Sequence, residues 1–208
     1  MSGIYKQKDW TAVEMELDPR MQVVIAGYAA LLINQRLDLG VYPRTREIIV
    51  RPAPYNEEYE SLGRDVVGAT RLGEAWYRGP VILAWSAIRP LLDRRPDPHN
   101  VIIHEFAHKL DFLDGSIDGT PPLASRVDLQ RWASVFGREY ERLVEAANTG
   151  QRSLLNKYGA TNAAEFFAVA TETFYGRPKQ LRSWHPEVFQ CLQDFFQQDP
   201  TEWNMPER

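Results

Sequence analysis

Val101-Ile102-Ile103-His104-Glu105-Phe106-Ala107-His108-Lys109-Leu110-Asp111 is the stretch around which the rest of the chain is read. Hydrophobic residues open it and recur as Phe106, Ala107 and Leu110, with a polar stripe through the middle. That pattern predicts a helix. On a helix, residues four apart stack on one face, one turn above the other. His104 and His108 therefore present two imidazoles to the same point, and two such nitrogens suit a single zinc ion. Glu105, next to the first histidine, can serve a metal-polarised water as general base. Together they make the H-E-x-x-H spacing of zinc peptidases. The competing reading is a surface helix whose His and Glu side chains are merely solvated. So many apolar neighbours leave little room for an exposed helix, and histidines set among them need polar partners.

The whole chain suits an ordinary globule. Its 208 residues are 44% hydrophobic and 25% charged, enough for one domain over 1–208 with a real core. A net charge of −4 without a long basic run argues against direct nucleic-acid binding and leaves a protein partner open. Cys191 is the single cysteine, so neither an internal disulfide nor a cysteine-rich zinc finger can form. The opening residues lack the apolar segment of a signal peptide, and the apolar run over 23–33 is too short to span a bilayer. These features predict a cytoplasmic protein with no membrane association.

Working outward, Asp97 is expected to cap the motif helix, with Pro98 at its first position and the end near Phe112 or Leu113. Upstream, Asp18-Pro19 predicts a helix start, followed by Met21, Val24, Ile25, Tyr28, Leu31 and Leu32 at helical spacing. Residues 1–20 otherwise read as mixed and polar. Glu47–Val50 reads as a strand closed by prolines, residues 55–72 as an irregular crossing, and Glu74–Tyr77 and Val81–Trp85 as a hairpin turned at Gly79-Pro80. Val81–Trp85 is either the sheet edge that holds an extended substrate as an added strand or simply an inner strand. Asp114 to Leu123 is a turn-rich loop, either a wall of the site or an ordinary connection. An amphipathic helix is expected from Arg126 to Ala147, its buried side marked by Leu129, Trp132, Val135, Phe136, Tyr140 and Leu143. Two more helices follow, over 162–175 and from His185-Pro186. Cys191 falls in the last, as inert packing.

A catalytic zinc usually takes three protein ligands and one water. The extended pattern with a Gly and a third His after His108 is excluded, because Asp111 and Asp114 occupy those positions. His99 lies on the wrong side of the helix start, and His185 has nothing to support it. A glutamate from a later helix remains. Glu165 and Glu172 stand seven apart on the otherwise apolar 162–175 helix and so share a face. Glu165 has a bland alternative as the N3 residue of a capping box with Asn162. Glu172 has one as a salt-bridge partner or a solvated side chain. Spacing does not choose between them.

His104–Asp111, together with Tyr158-Gly159-Ala160-Thr161-Asn162-Ala163-Ala164-Glu165-Phe166-Phe167-Ala168, resembles the Mlc titration factor A family, zinc peptidases related to the catalytic domain of anthrax lethal factor. Ile48–Tyr55, Gly79–Trp85 and Phe195–Pro200 are similar as well, so the resemblance covers nearly the whole chain. It implies an α+β, zincin-like (gluzincin) fold with a small sheet packed on the active-site helix. It implies zinc held by His104, His108 and Glu165, Glu105 as general base, and Tyr158 as stabiliser of the oxyanion. Glu172 would then be an outer or structural residue, with Asp111 another outer candidate. Aminopeptidase-like hydrolysis of peptide substrates is implied, and binding to a sugar-responsive transcriptional repressor. The alternative is a zincin-fold binding module that sequesters a regulator, with its peptidase chemistry latent. One departure is expected: family members carry a further helical segment before the equivalent of residue 10, absent or cut away here, which bears on partner binding more than on the zinc site.

Overall fold

The computed structural model describes residues 2–54, 73–75, 79–92 and 99–203. Where the sequence reads as mixed and polar, the chain forms a short helix, α1 (Ser2–Gln7), and a strand, β1 (Asp9–Ala12). The helix α2 (Pro19–Ile33) starts as expected, with the Asp18 carboxylate accepting from the Arg20 N–H at 2.8 Å. β1 takes its ladder from β2 (Glu47–Arg51), pairing in parallel from Asp9 opposite Glu47 to Ala12 opposite Val50. Four mixed residues carry no clear period of their own, so only the partner strand reveals them.

Two further strands, β3 (Gly73–Ala75) and β4 (Val81–Ala84), form the expected antiparallel hairpin, with Gly73 opposite Leu83 and Ala75 opposite Val81. The strand order is β1-β2-β4-β3, with β4 parallel to β2. All four residues of β4 are buried, so it is an inner strand, and β3 is the outer one among the described residues. The strand expected over 81–85 stops one residue early, because Trp85 opens the helix α3 (Trp85–Leu92). The reason lies in the neighbouring strand. β2 runs into Pro52, which has no N–H to extend the ladder, and the Pro52 carbonyl instead accepts from the Ser86 N–H at 3.1 Å. The crossing expected over 55–72, and Trp76 and Tyr77 of the expected strand, lie outside the described residues.

The motif helix, α4, spans Val101–Asp111. It is capped by Asn100, whose side-chain oxygen accepts from the Ile102 and Ile103 N–H groups at 3.1 and 3.2 Å. This corrects the expected start at Asp97-Pro98, two residues outside the described ones. One side chain satisfying two of the helix's unpaired donors is enough to set the boundary. α4 packs on α2, β3 and β4 and also against α6 (Ala163–Gly176), so it is buried between the sheet and the later helices.

α5 (Arg126–Thr149) buries Trp132, Val135, Phe136 and Leu143. Leu129, expected in that stripe, is 46% exposed, since the stripe meets its partners only from Trp132 onward. There Trp132 stacks on Phe136 at 3.9 Å and meets Phe167 and the Phe195 ring of α8 (Pro186–Phe196) edge-on. A short α7 (Pro178–Trp184) joins α6 to α8. On α6, Phe166, Phe167 and Phe174 are fully buried. Each is worth about 1.5–3 kcal/mol of burial, so together they hold α6 in one rotational setting and fix what it turns toward α4. Among the described residues no helix is long and apolar enough to cross a membrane.

Candidate metal centre

α4 places the His104 and His108 rings 4.9 Å apart at 81°, with their Nε2 atoms 3.2 Å from each other. α6 brings a carboxylate to the same point. Glu165 Oε2 lies 2.9 Å from His104 Nε2 and 3.4 Å from His108 Nε2. A tetrahedral zinc with bonds of about 2.0–2.1 Å needs ligand atoms roughly 3.3 Å apart, and the three observed edges bracket that value. Among the described residues this is the trio of His, Cys, Asp or Glu side chains able to hold a metal. Two imidazole nitrogens and a carboxylate oxygen suit zinc in both type and number.

Behind His104 stands the other carboxylate of α6. Glu172 Oε1 accepts from His104 Nδ1 at 2.6 Å, and Glu172 Oε2 accepts from the Asn100 N–H at 2.8 Å. One buried side chain thus secures the first residue before α4 and the first histidine of the motif. With Nδ1–H held by Glu172, Nε2 is the nitrogen left to take a metal once the proton it shares with Glu165 is lost. The charges follow this geometry. Burial pulls the His104 pKa down, but hydrogen bonds to Glu165 and Glu172 outweigh it and raise it well above the usual imidazole value. Burial pushes Glu165 and Glu172 upward, and their bonds to the histidines prevail and hold both below the ordinary carboxylate range. In the metal-free protein a proton on His104 is the cation that the two carboxylates share.

Around this cluster the other expected residues take distinct places. Glu105 is buried, and burial raises its pKa above the ordinary value. Tyr158 sits in a 3₁₀ turn (Lys157–Ala160) with its ring centroid 5.9 Å from that of His104, and it is 53% exposed. The Asn162 side chain accepts from the Glu165 N–H at 2.9 Å, the forward half of the expected capping box. Its return half is not made, because the Glu165 carboxylate turns to the histidines. Asp111 accepts from the Gly119 N–H at 3.1 Å, and burial raises its pKa to about 6. The Gly119 carbonyl in turn accepts from Trp132 Nε1 at 3.0 Å. Gly119 has φ +76°, and a Cβ there would lie 2.2 Å from the Ala163 carbonyl oxygen. The loop after α4 is therefore a bracket joining α4, α5 and the start of α6. His185 is elsewhere, bonded to Glu139 at 2.7 Å, and His99 lies behind Glu172 at 3.7 Å. Gly73 of β3 meets Glu105 from the sheet side, and Lys109, on α4 itself, reaches out to the Gly79 carbonyl; spacing singled out neither. Glycine and lysine at those positions carry no local signal of such a contact.

The profile of the glucose-regulated metallo-peptidase M90 family matches residues 1–197. An uncharacterised protein of Synechocystis sp. is 40% identical over 194 residues, covering 88% of this chain and 68% of the relative. Mlc titration factor A of Edwardsiella ictaluri is 32% identical over 194 residues, covering 90% and 73%, and that of Yersinia pestis 30% identical over 209 residues, covering 96% and 75%. The chain belongs to the glucose-regulated metallo-peptidase M90 family.

Proposed function

We propose that this chain is a zinc-dependent metallopeptidase, a single zincin-like domain of the gluzincin type that hydrolyses peptides in the cytoplasm with aminopeptidase-like preference. His104, His108 and Glu165 hold the zinc. The observation that carries the reading is the triangle of two Nε2 atoms and one carboxylate oxygen, with Glu172 behind His104. When bound, zinc supplies Lewis-acid polarisation of the scissile carbonyl and lowers the pKa of a water. Glu105 takes a proton at its carboxylate from the attacking water and passes it to the leaving amine. Tyr158 donates a hydrogen bond from its hydroxyl to the carbonyl oxygen as charge develops there. Glu105→Gln is expected to keep zinc at the parent stoichiometry and to lose about 10²–10⁴-fold in hydrolysis rate. Cleavage at the parent rate by this variant overturns the mechanism.

A second reading rests on the relatives named Mlc titration factor A. In it the fold captures a sugar-responsive transcriptional repressor and its hydrolytic chemistry is latent. Repressor binding by the Glu105→Gln protein, measured where the parent turns over no peptide, favours capture. Peptide turnover by the parent with no repressor binding excludes it.

A further inference from the structure

Behind Glu172 the protein is not packed solid. A cavity of about 270 Å³ is lined by Glu172, but by none of His104, His108 or Glu165. It lies between the second half of α6 and the segment 153–157, which runs into the Tyr158 turn. Its floor is buried, with Leu155 and Val169 each 2% exposed and Glu172 5% exposed. Lys157 and Arg177 line it too, the first exposed and the second half-buried. Neither has an ion-pair partner among the described residues.

Glu172 keeps acceptor capacity on this side. Oε1 accepts from His104 Nδ1 and Oε2 from the Asn100 N–H, while His99 Nδ1 stands 3.7 Å from Oε2, too far for a good hydrogen bond. A carboxylate has room for about four donors. The cavity therefore offers one anion, two cations and an apolar floor. A simple anion would be repelled by Glu172, and a simple cation by Lys157 and Arg177. A molecule carrying both charges satisfies all three. At about 270 Å³ the space is just below the roughly 300–1,000 Å³ of pockets for drug-sized ligands, which suits one amino acid rather than a peptide.

We propose that this cavity binds a free α-amino acid with an apolar side chain, its ammonium on Glu172 and its carboxylate on Lys157 and Arg177, and that Glu172 couples its occupancy to the metal. The ammonium draws the Glu172 charge away from His104 Nδ1–H, so the ring becomes a poorer zinc donor. Amino acid and zinc thus oppose each other, by the same factor in both directions. The physiological sense of the coupling rests on the peptidase reading above, under which a free amino acid is the product of hydrolysis and feeds back on the centre that releases it.

The test titrates the full chain with L-leucine by calorimetry, metal-free and zinc-loaded. N-acetyl-leucine, which lacks the ammonium, and leucinamide, which lacks the carboxylate, are run beside it. Loss of a charged hydrogen bond is expected to weaken each derivative about tenfold or more. The double variant Lys157→Gln/Arg177→Gln, changed only outside the metal trio, is expected to lose leucine affinity to the same extent while keeping zinc stoichiometry and melting temperature. In chelator competition, saturating leucine should lower the zinc affinity of the parent about fivefold and leave that of the double variant unchanged. N-acetyl-leucine binding as tightly as leucine overturns the proposal, and needs no variant to fold. Equal leucine affinity in a folded double variant overturns it as well, as does tighter leucine binding with zinc present, which would seat leucine on the metal itself. Peptide hydrolysis is measured separately. A parent that binds leucine as expected yet cleaves no peptide keeps the site and sinks the peptidase reading, and one that cleaves peptides without binding leucine does the reverse.

Discussion

Glu165 and Glu172 stand two turns apart on one apolar helix, and they finish on opposite sides of a single imidazole. Glu165 faces the two Nε2 atoms, and Glu172 holds Nδ1 of the nearer ring. Both carboxylates are held ionised by the same histidine, yet their chemistry differs. The front one can share a metal with the rings. The rear one fixes which nitrogen carries the proton and ties that choice to the start of α4 through Asn100. A pair of like residues seven apart is therefore one device rather than two rival ligands.

Changing each member in turn tests the difference. The largest effect is expected from Glu165→Ala, which removes one of three donors. That variant should lose its metal through gel filtration while keeping its helical circular dichroism, as metal analysis would show. Retention of metal at the parent level would mean that Glu172 or another group replaces it.

Glu172→Gln should be milder. Its amide can still accept from Asn100 but cannot satisfy His104 Nδ1–H in the same way, so zinc affinity is expected to fall about 10–100-fold in a chelator competition. The pH dependence sharpens this. In the metal-free parent the raised His104 pKa means that a proton must leave before Nε2 can take a metal, so affinity rises with pH and levels off above that pKa. Removing the Glu172 charge lowers the His104 pKa and moves the levelling point to lower pH. The gap between parent and variant should therefore narrow as the solution is made more acidic. A gap that widens on acidification contradicts the assignment of Glu172 as the proton-holding partner.

The smallest effect belongs to the cap beside Glu165. Asn162→Ala removes the acceptor for the Glu165 N–H and should cost about 1 kcal/mol of stability, read as a fall in melting temperature. Zinc stoichiometry should not change. A loss of metal as large as that of Glu165→Ala would show that the cap, and not the burial of Phe166 and Phe167, aims the carboxylate.

Much of the site was legible because α4 is a local object. His104 and His108 converge through helix geometry alone, whatever α4 packs against. The ends of elements were less legible. Asn100 rather than Asp97 caps α4, and Trp85 leaves its strand because Pro52 on the neighbour cannot continue the ladder. The first is a local cap that several polar residues near the start could have made, and the second is decided by a partner remote in sequence. β1 has no period of its own and exists only beside β2. Gly73 and Lys109 gave no signal, since a missing side chain and a buried amine acquire meaning only from what lies across from them.

Sequence by itself determined that one helix of this protein offers two nitrogens and a carboxylate at fixed spacing, that a later apolar helix carries two further carboxylates, and that resemblance to a peptidase family favours Glu165 as the third ligand. Only the tertiary structure decided what each carboxylate faces. The rotational setting of α6 is held by Phe166, Phe167 and Phe174 in the core, and its distance from α4 by the Gly119 bracket. Helical spacing fixes directions within an element, whereas packing fixes the distances between elements, and a metal centre made from two helices needs both.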